Sequence, residues 1–332
     1  MPLARVLAAL LLMGAALALI GTERLGAQLR SVVPVLFAAA VLAAALAQAL
    51  SVWRWSRIAR IFGLHVHLPA LALGYAQGMT LNALLPGATL SGDALRSVRL
   101  QALGNPLGVS ALTVLLDRLS GLWILCVLSL LTGLGLALRL AAGTPLPPSP
   151  ALAAAGLDVE TVFVLYLLGL ALLCGLPFAP FRAQETAPGT VAHAPRPALP
   201  ARVWNRIAQL HALTLAQRVP LARSLWSSVL VQVLSAACLW FCVLAAGGHA
   251  AYWQVQAVAA PVFVAGALPL SYGGFGAREL TALLAFPLVG LPAELGLAAA
   301  VLYGIVALIL GVLAAPSFAL RTATGAARPQ AS

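Results

Sequence analysis

No lysine occurs in this chain, acidic residues number only eight, and charged side chains of every kind make up 8% of 332 residues. So little charge cannot coat a water-soluble globule. Also missing are the short alternating segments of a β-barrel, a P-loop or other nucleotide-binding motif, and any basic stripe interleaved with aromatics. The net charge of +11 therefore does not point to nucleic acid. It is carried by arginine alone, mostly in short segments between apolar runs, which is the positive-inside distribution of membrane topology signals.

Cysteine is scarce too. Cys126, Cys174, Cys238 and Cys242 all lie inside apolar runs, where a thiol behaves as a small hydrophobe. Cys238 and Cys242 have i, i+4 spacing, but no nearby His or carboxylate completes a metal set. No catalytic set emerges either. His65 and His67 flank an interface, and His193, His211 and His249 sit in loops without a nucleophile or carboxylate at useful spacing. An enzyme and a resident cofactor are not expected.

What is present is hydrophobicity: 62% apolar residues and a mean hydropathy of +1.01, gathered in long runs. A spanning helix needs roughly 20 such residues, so an all-α integral membrane protein is expected. Residues 6–21, after Arg5, have the look of a signal peptide with a small-residue cleavage site, but the spans that follow at once favour a retained first helix. Residues 32–52 form a second run, ending in Trp53-Arg54-Trp55-Ser56-Arg57-Ile58-Ala59-Arg60, whose aromatics and arginines mark a cytoplasmic interface.

Residues 68–86 are softer, with Tyr75, Gln77, Gly78 and Asn82 before the Pro86-Gly87 breaker. Apolar runs resume at 107–138, 161–178, 225–247, 253–270, 280–291 and 295–315. Between them, 181–200 is a Pro-rich linker, and 202–218 reads as a basic interfacial helix. If 68–86 crossed the membrane, the arginines of 182–223 would fall opposite the Arg54–Arg60 cluster. A hairpin removes the conflict, and the same bookkeeping makes 253–291 a second one. The expectation is one domain over 1–332 with about six full spans plus two re-entrant or broken hairpins, eight apolar segments in all. Both termini are then cytoplasmic, in an inner membrane. Halves 1–140 and 155–320 would form an inverted repeat.

Three constellations carry charge at or near membrane depth, where a central Arg or Asp costs on the order of 2.5–3.5 kcal/mol on insertion scales and asks for a partner or a wet cavity. In the first, Asp117 and Arg118 are adjacent, so they point about 100° apart on a helix and need different partners. A cross-helix salt bridge that fixes packing and a role in transport both fit. The second is the Gly-rich turn of residues 86–96, containing Gly87, Asp93 and Arg96. Ser91 or Asp93 could cap the helix it opens, its free N–H groups could take a phosphate, and Arg96 with Arg99 could hold a lipid headgroup. A plain capped interfacial helix touching anionic lipid is the alternative. The third is Ser271-Tyr272-Gly273-Gly274-Phe275-Gly276-Ala277-Arg278-Glu279. Its glycines break a helix at a depth where non-helical backbone survives only if buried in protein or lining a cavity.

In combination and order, these segments resemble the flippase-like transmembrane domain of the lysylphosphatidylglycerol synthase family over nearly the whole chain. The residues that carry the resemblance are Asn82 with Leu85-Pro86-Gly87, Gly92-Asp93 with Arg96, Asp117-Arg118 with Gly121, and Tyr272-Gly273-Gly274-Phe275-Gly276 with Arg278-Glu279. Full-length members of that family attach a cytoplasmic aminoacyl-transferase domain. Here the sequence ends at Ser332, soon after its last apolar run, so a stand-alone membrane part without synthase chemistry is expected. The resemblance implies translocation of a lipid or lipid-linked molecule between leaflets, the cargo being an anionic phospholipid, a glycolipid or a hopanoid-related lipid. Asn82, Gly87, Asp93, Arg96, Asp117, Arg118, Tyr272, Gly274, Arg278 and Glu279 are the candidate substrate-binding residues. The alternative is a non-transporting scaffold that recruits a separately encoded lipid-modifying enzyme through the helix at 202–218.

Overall fold

A computed structural model describes residues 32–84, 89–143, 156–175, 216–268 and 276–320, with isolated positions at 146, 149, 152, 153 and 214. The first apolar run, the linker, most of the interfacial helix at 202–218, Gly87, Tyr272 and Gly274 all lie outside the described residues. Among the described residues there is no strand. The longer helices are α1 (Pro34–Ile61), α2 (Leu68–Leu84), α3 (Thr89–Gln101), α4 (Leu107–Ala141), α5 (Val159–Gly175), α6 (Arg218–Ala245), α7 (Tyr252–Ala267), α8 (Ala277–Ala285) and α9 (Ala293–Ala314). Short 3-10 turns follow α8 and α9.

Four segments are long and apolar enough to cross a membrane: α1, α4, α6, and α9 together with its terminal turn. The expected count of six full spans is not reproduced among the described residues. α5 is apolar but has only 17 residues, short of the roughly 20 a span needs, and the first run is not described. At 1.5 Å per residue, α2 and α3 reach about 25 and 20 Å and α8 much less, so none of the three matches a hydrocarbon core of about 30 Å.

The central contact is α1 on α6. The two run antiparallel, since the Val33 amide at the start of α1 donates to the Ala245 carbonyl at the end of α6, 3.0 Å away. Ala40, Ala43 and Ala47 are buried along α1, and side chains this small allow the close backbone approach that membrane helices use in place of hydrophobic driving force. α4 is also antiparallel to α1, because Arg54 and Trp55 near the end of α1 reach Asp117 and Thr113 in the early part of α4.

Both ends of the α2–α3 pair therefore lie at one end of the bundle, where α1 stops and α4 starts. The α7–α8 pair has both ends at the other, where α6 stops and α9 starts, and the Gln254 amide ties its beginning to its end by donating to the Val289 carbonyl at 2.9 Å. Each pair leans on the last long helix of the other half. α2 packs on α9, with Thr80 Oγ1 donating to the Gly311 carbonyl at 2.9 Å. α7 packs on α4, with Ser129 Oγ donating to the Gln256 carbonyl at 2.8 Å.

Glycine makes these close approaches possible. A Cβ at Gly92 of α3 would overlap Asn82 Oδ1 and come within 2.7 Å of the Gly78 carbonyl oxygen of α2. Backbone cannot yield as a flexible side chain does, so Gly92→Ala is expected to cost at least the 1–3 kcal/mol typical of overpacking. Detergent-titrated unfolding of the purified protein checks it; wild-type stability would show that the hairpin is looser than described.

Candidate functional site

Asp117 lies in the middle of a charge network. It is only 1% exposed and accepts from Arg54 Nε and Arg96 Nη2, each at 2.8 Å. Arg96 also donates through Nη1 to Asp93 at 3.3 Å. Arg118 grips Asp93 as a fork, Nε to Oδ2 and Nη2 to Oδ1, both at 2.9 Å. Three guanidinium groups from α1, α3 and α4 thus share two carboxylates, leaving one positive charge in excess. As their adjacency required, Asp117 and Arg118 have different partners.

The surroundings hold Arg96 in place. Its Cζ lies 4.4 Å from the centroid of the Trp55 ring and 4.5 Å from that of Tyr75, a geometry in which the ring quadrupoles attract the cation. Those rings are anchored in turn, Trp55 Nε1 donating to Thr113 Oγ1 at 3.2 Å and the Tyr75 hydroxyl to Gln48 Oε1 at 2.9 Å. The satisfaction of the network is incomplete. Buried Arg54 Nη1 and Arg96 Nε have no partner among the described residues, nor has Asn82 Oδ1 beside Gly92. An unused buried donor on a cation costs more than a neutral one, and an anion's oxygens are the groups that would satisfy it.

One sequence expectation is corrected here. Ser91 and Asp93 do not cap α3, because the helix already begins at Thr89 and the Asp93 carboxylate is turned to Arg96 and Arg118. Arg96 and Arg99 have different partners, Arg99 Nε donating to Gln77 Oε1 at 3.0 Å, whose amide donates to the Ser317 carbonyl at 3.0 Å. That chain ties α3 through α2 to the end of α9.

Sequence reasoning missed Arg54. Read with Arg57 and Arg60 as an interface marker, it is 5% exposed and belongs to the network, while Arg57 stays outside over the Trp53 ring at 4.9 Å. The available signal was Asp117 itself, a carboxylate at membrane depth that had to find an arginine.

Arg278 and Glu279 form a second cluster at the other helix pair. Glu279 is fully buried. Its Oε1 accepts from Arg278 Nη2 at 2.6 Å and Nε at 3.1 Å, and its Oε2 from the Gly276 amide. Glu279 is the third residue of α8, so that last bond is the reciprocal arm of a capping box. Gly276 has φ +93°, which a side chain would strain. Arg278 Cζ lies 5.6 Å from the Tyr303 ring centroid on α9. Unlike the first cluster, this charge pair is balanced.

The site residues proposed from sequence therefore fall into two groups, Asp93, Arg96, Asp117 and Arg118 with Asn82 nearby, and Arg278 with Glu279. Among the described residues no cluster of three or more His, Cys, Asp or Glu could hold a metal ion. In comparisons with known proteins, the family described as the lysylphosphatidylglycerol synthase TM region matches residues 3–315. No curated protein matches the chain.

Proposed function

This chain belongs to the lysylphosphatidylglycerol synthase TM-region family, and from that membership we propose that it is a flippase, moving an anionic lipid or lipid-linked molecule between membrane leaflets. It is a multi-pass membrane protein with a membrane-lipid-related role. The observation that supports translocation is the positive excess in the first cluster. Three arginines share two carboxylates, with buried guanidinium donors unused, and an ionisable group within a spanning segment is by default a candidate for the substrate path.

The exchange of packing partners supports an inverted repeat. Pairing α1 with α6, α2 with α7, α3 with α8 and α4 with α9 maps the principal contacts onto one another, and α1 and α6 are antiparallel. In that reading α2–α3 and α7–α8 are re-entrant hairpins dipping in from opposite sides, and rocking of the halves exposes the cationic cluster to each leaflet in turn. Arg57 and Arg60 are exposed at the end of α1, and the positive-inside bias of arginine supports a cytoplasmic side for that end, in a bacterial inner membrane with both termini cytoplasmic. The reading assigns the chain no catalysis of its own.

Leaflet translocation of fluorescent phospholipids by the full chain in liposomes tests this. Arg118→Gln and Arg278→Gln are expected to slow movement at least tenfold while the protein remains folded. Unchanged translocation in both, or none by the wild type for any anionic lipid, would overturn the proposal.

A further inference from the structure

The two carboxylates of the first cluster are not equivalent. The Asp117 side chain is 2% exposed and held by two arginines that are themselves buried, whereas the Asp93 side chain is 21% exposed and its main partner, Arg118, 47%. Arg118 lies eleven residues into α4, about 16 Å from its start at 1.5 Å per residue. Exposed Leu115 and Leu122 share its helix face at i−3 and i+4, and exposed Leu119 borders that face. A stripe of exposed leucines is what a span shows to acyl chains, and an arginine in such a stripe is unusual. Asp93 covers it, with one oxygen on each arm of the Arg118 fork and a further contact to Arg96 Nη1.

A planar fork reads carboxylate and phosphate oxygens with the same geometry. We infer that Arg118 and Arg96 form a phosphate seat open to the bilayer side of α3 and α4, and that the Asp93 carboxylate occupies it as a built-in stand-in that an incoming phosphate-bearing headgroup displaces. This deepens the flippase reading and rests on it for the direction of approach. Asp117 then stays with Arg54 and Arg96 throughout as the fixed anchor. Asp93 moves off Arg118 when phosphate arrives, and its charge is accommodated because it is partly exposed. The competing carboxylate also keeps resting affinity low, so that a headgroup can leave as well as enter.

Equilibrium binding of short-chain phosphatidylglycerol and of inorganic phosphate to the purified full chain tests the seat. Asp93→Asn removes the competing charge at nearly constant shape and is expected to tighten phosphatidylglycerol binding about tenfold or more. Asp93→Glu, which keeps a carboxylate, should stay near the wild type. Adding Arg118→Gln to Asp93→Asn should abolish the gain. If inorganic phosphate gains equally, the seat reads phosphate from any source; if only the lipid gains, the source is a headgroup delivered from the bilayer. No gain for either probe in folded Asp93→Asn, or a gain that survives Arg118→Gln, overturns the inference. A wild type that moves lipid while Asp93→Asn binds no tighter sinks the seat alone. One that moves none while Asp93→Asn binds tighter sinks the flippase reading alone.

Discussion

Asp117→Ala is expected to destabilise the protein by about 3–5 kcal/mol, the usual cost of removing one partner from a buried ion pair, and so to consume a large share of a typical folding free energy of 5–15 kcal/mol. The carboxylate accepts from two buried guanidinium groups on different helices. Without it, Arg54 and Arg96 face each other as like charges, and Arg96 keeps its ring contacts but only the longer carboxylate contact, to Asp93. Unfolding in mixed detergent micelles measures the loss. The triple variant Arg54→Met, Arg96→Met and Asp117→Leu separates stability from function. It removes both cations together with their anion and leaves Asp93 and Arg118 as a balanced pair. Replacing a complete buried charge set with apolar residues of similar volume is often neutral or stabilising, so the triple variant should recover most of the stability and still fail to translocate lipid. Wild-type stability in the single variant would show that Asp117 anchors nothing.

Glu279→Ala is expected to have an effect of the same order, about 3–5 kcal/mol, for a different combination of reasons. The lost carboxylate accepts from both Nε and Nη2 of Arg278, and it also takes the Gly276 amide at the start of α8. α8 has nine residues, too few to persist in isolation, so its first turn matters more than it would in a long helix. Glu279→Gln should fall between wild type and alanine, because glutamine also serves as the third residue of a capping box but does not compensate the Arg278 charge. Equal losses for Gln and Ala would mean that the backbone arm contributes nothing and that charge pairing with Arg278 is the whole effect.

A contrast between these variants and Arg118→Gln bears on function. Arg118 is nearly half exposed, and half-exposed pairs contribute about 0–1 kcal/mol, so its loss should barely change unfolding while it slows lipid movement at least tenfold. A residue whose removal costs little stability and much transport acts on cargo.

Much of this was legible in the sequence. Low charge, long apolar runs and arginine placement fixed the class as a helical membrane protein, and four of the runs appear as helices of spanning length. Hydropathy is additive along a chain and helical order is local, so both can be read without knowing a neighbour. The break at Gly276 before α8 was visible for the same reason, since glycine acts on its own backbone, whereas the Pro86-Gly87 breaker lies outside the described residues. The separate fates of Asp117 and Arg118 also followed, because 100° per residue is local geometry.

The partners of those charges were decided by tertiary structure. Arg54 finds Asp117 across 63 residues of chain and Arg96 finds it across 21, and no short-range pattern specifies which arginine arrives. Arg54 and Arg57 look alike in sequence, yet one is buried against α4 and the other lies outside over Trp53, because the register of α1 on α4 and α6 turns one face inward. Whether Asp93 capped its helix depended on where α3 began, and the carboxylate was drawn instead to arginines that packing had already placed nearby. Sequence determined that charge would be carried into the bilayer. Packing determined which charges are locked together and which are left at the surface, because the cost of burying a charge depends on neighbours that only the folded chain supplies.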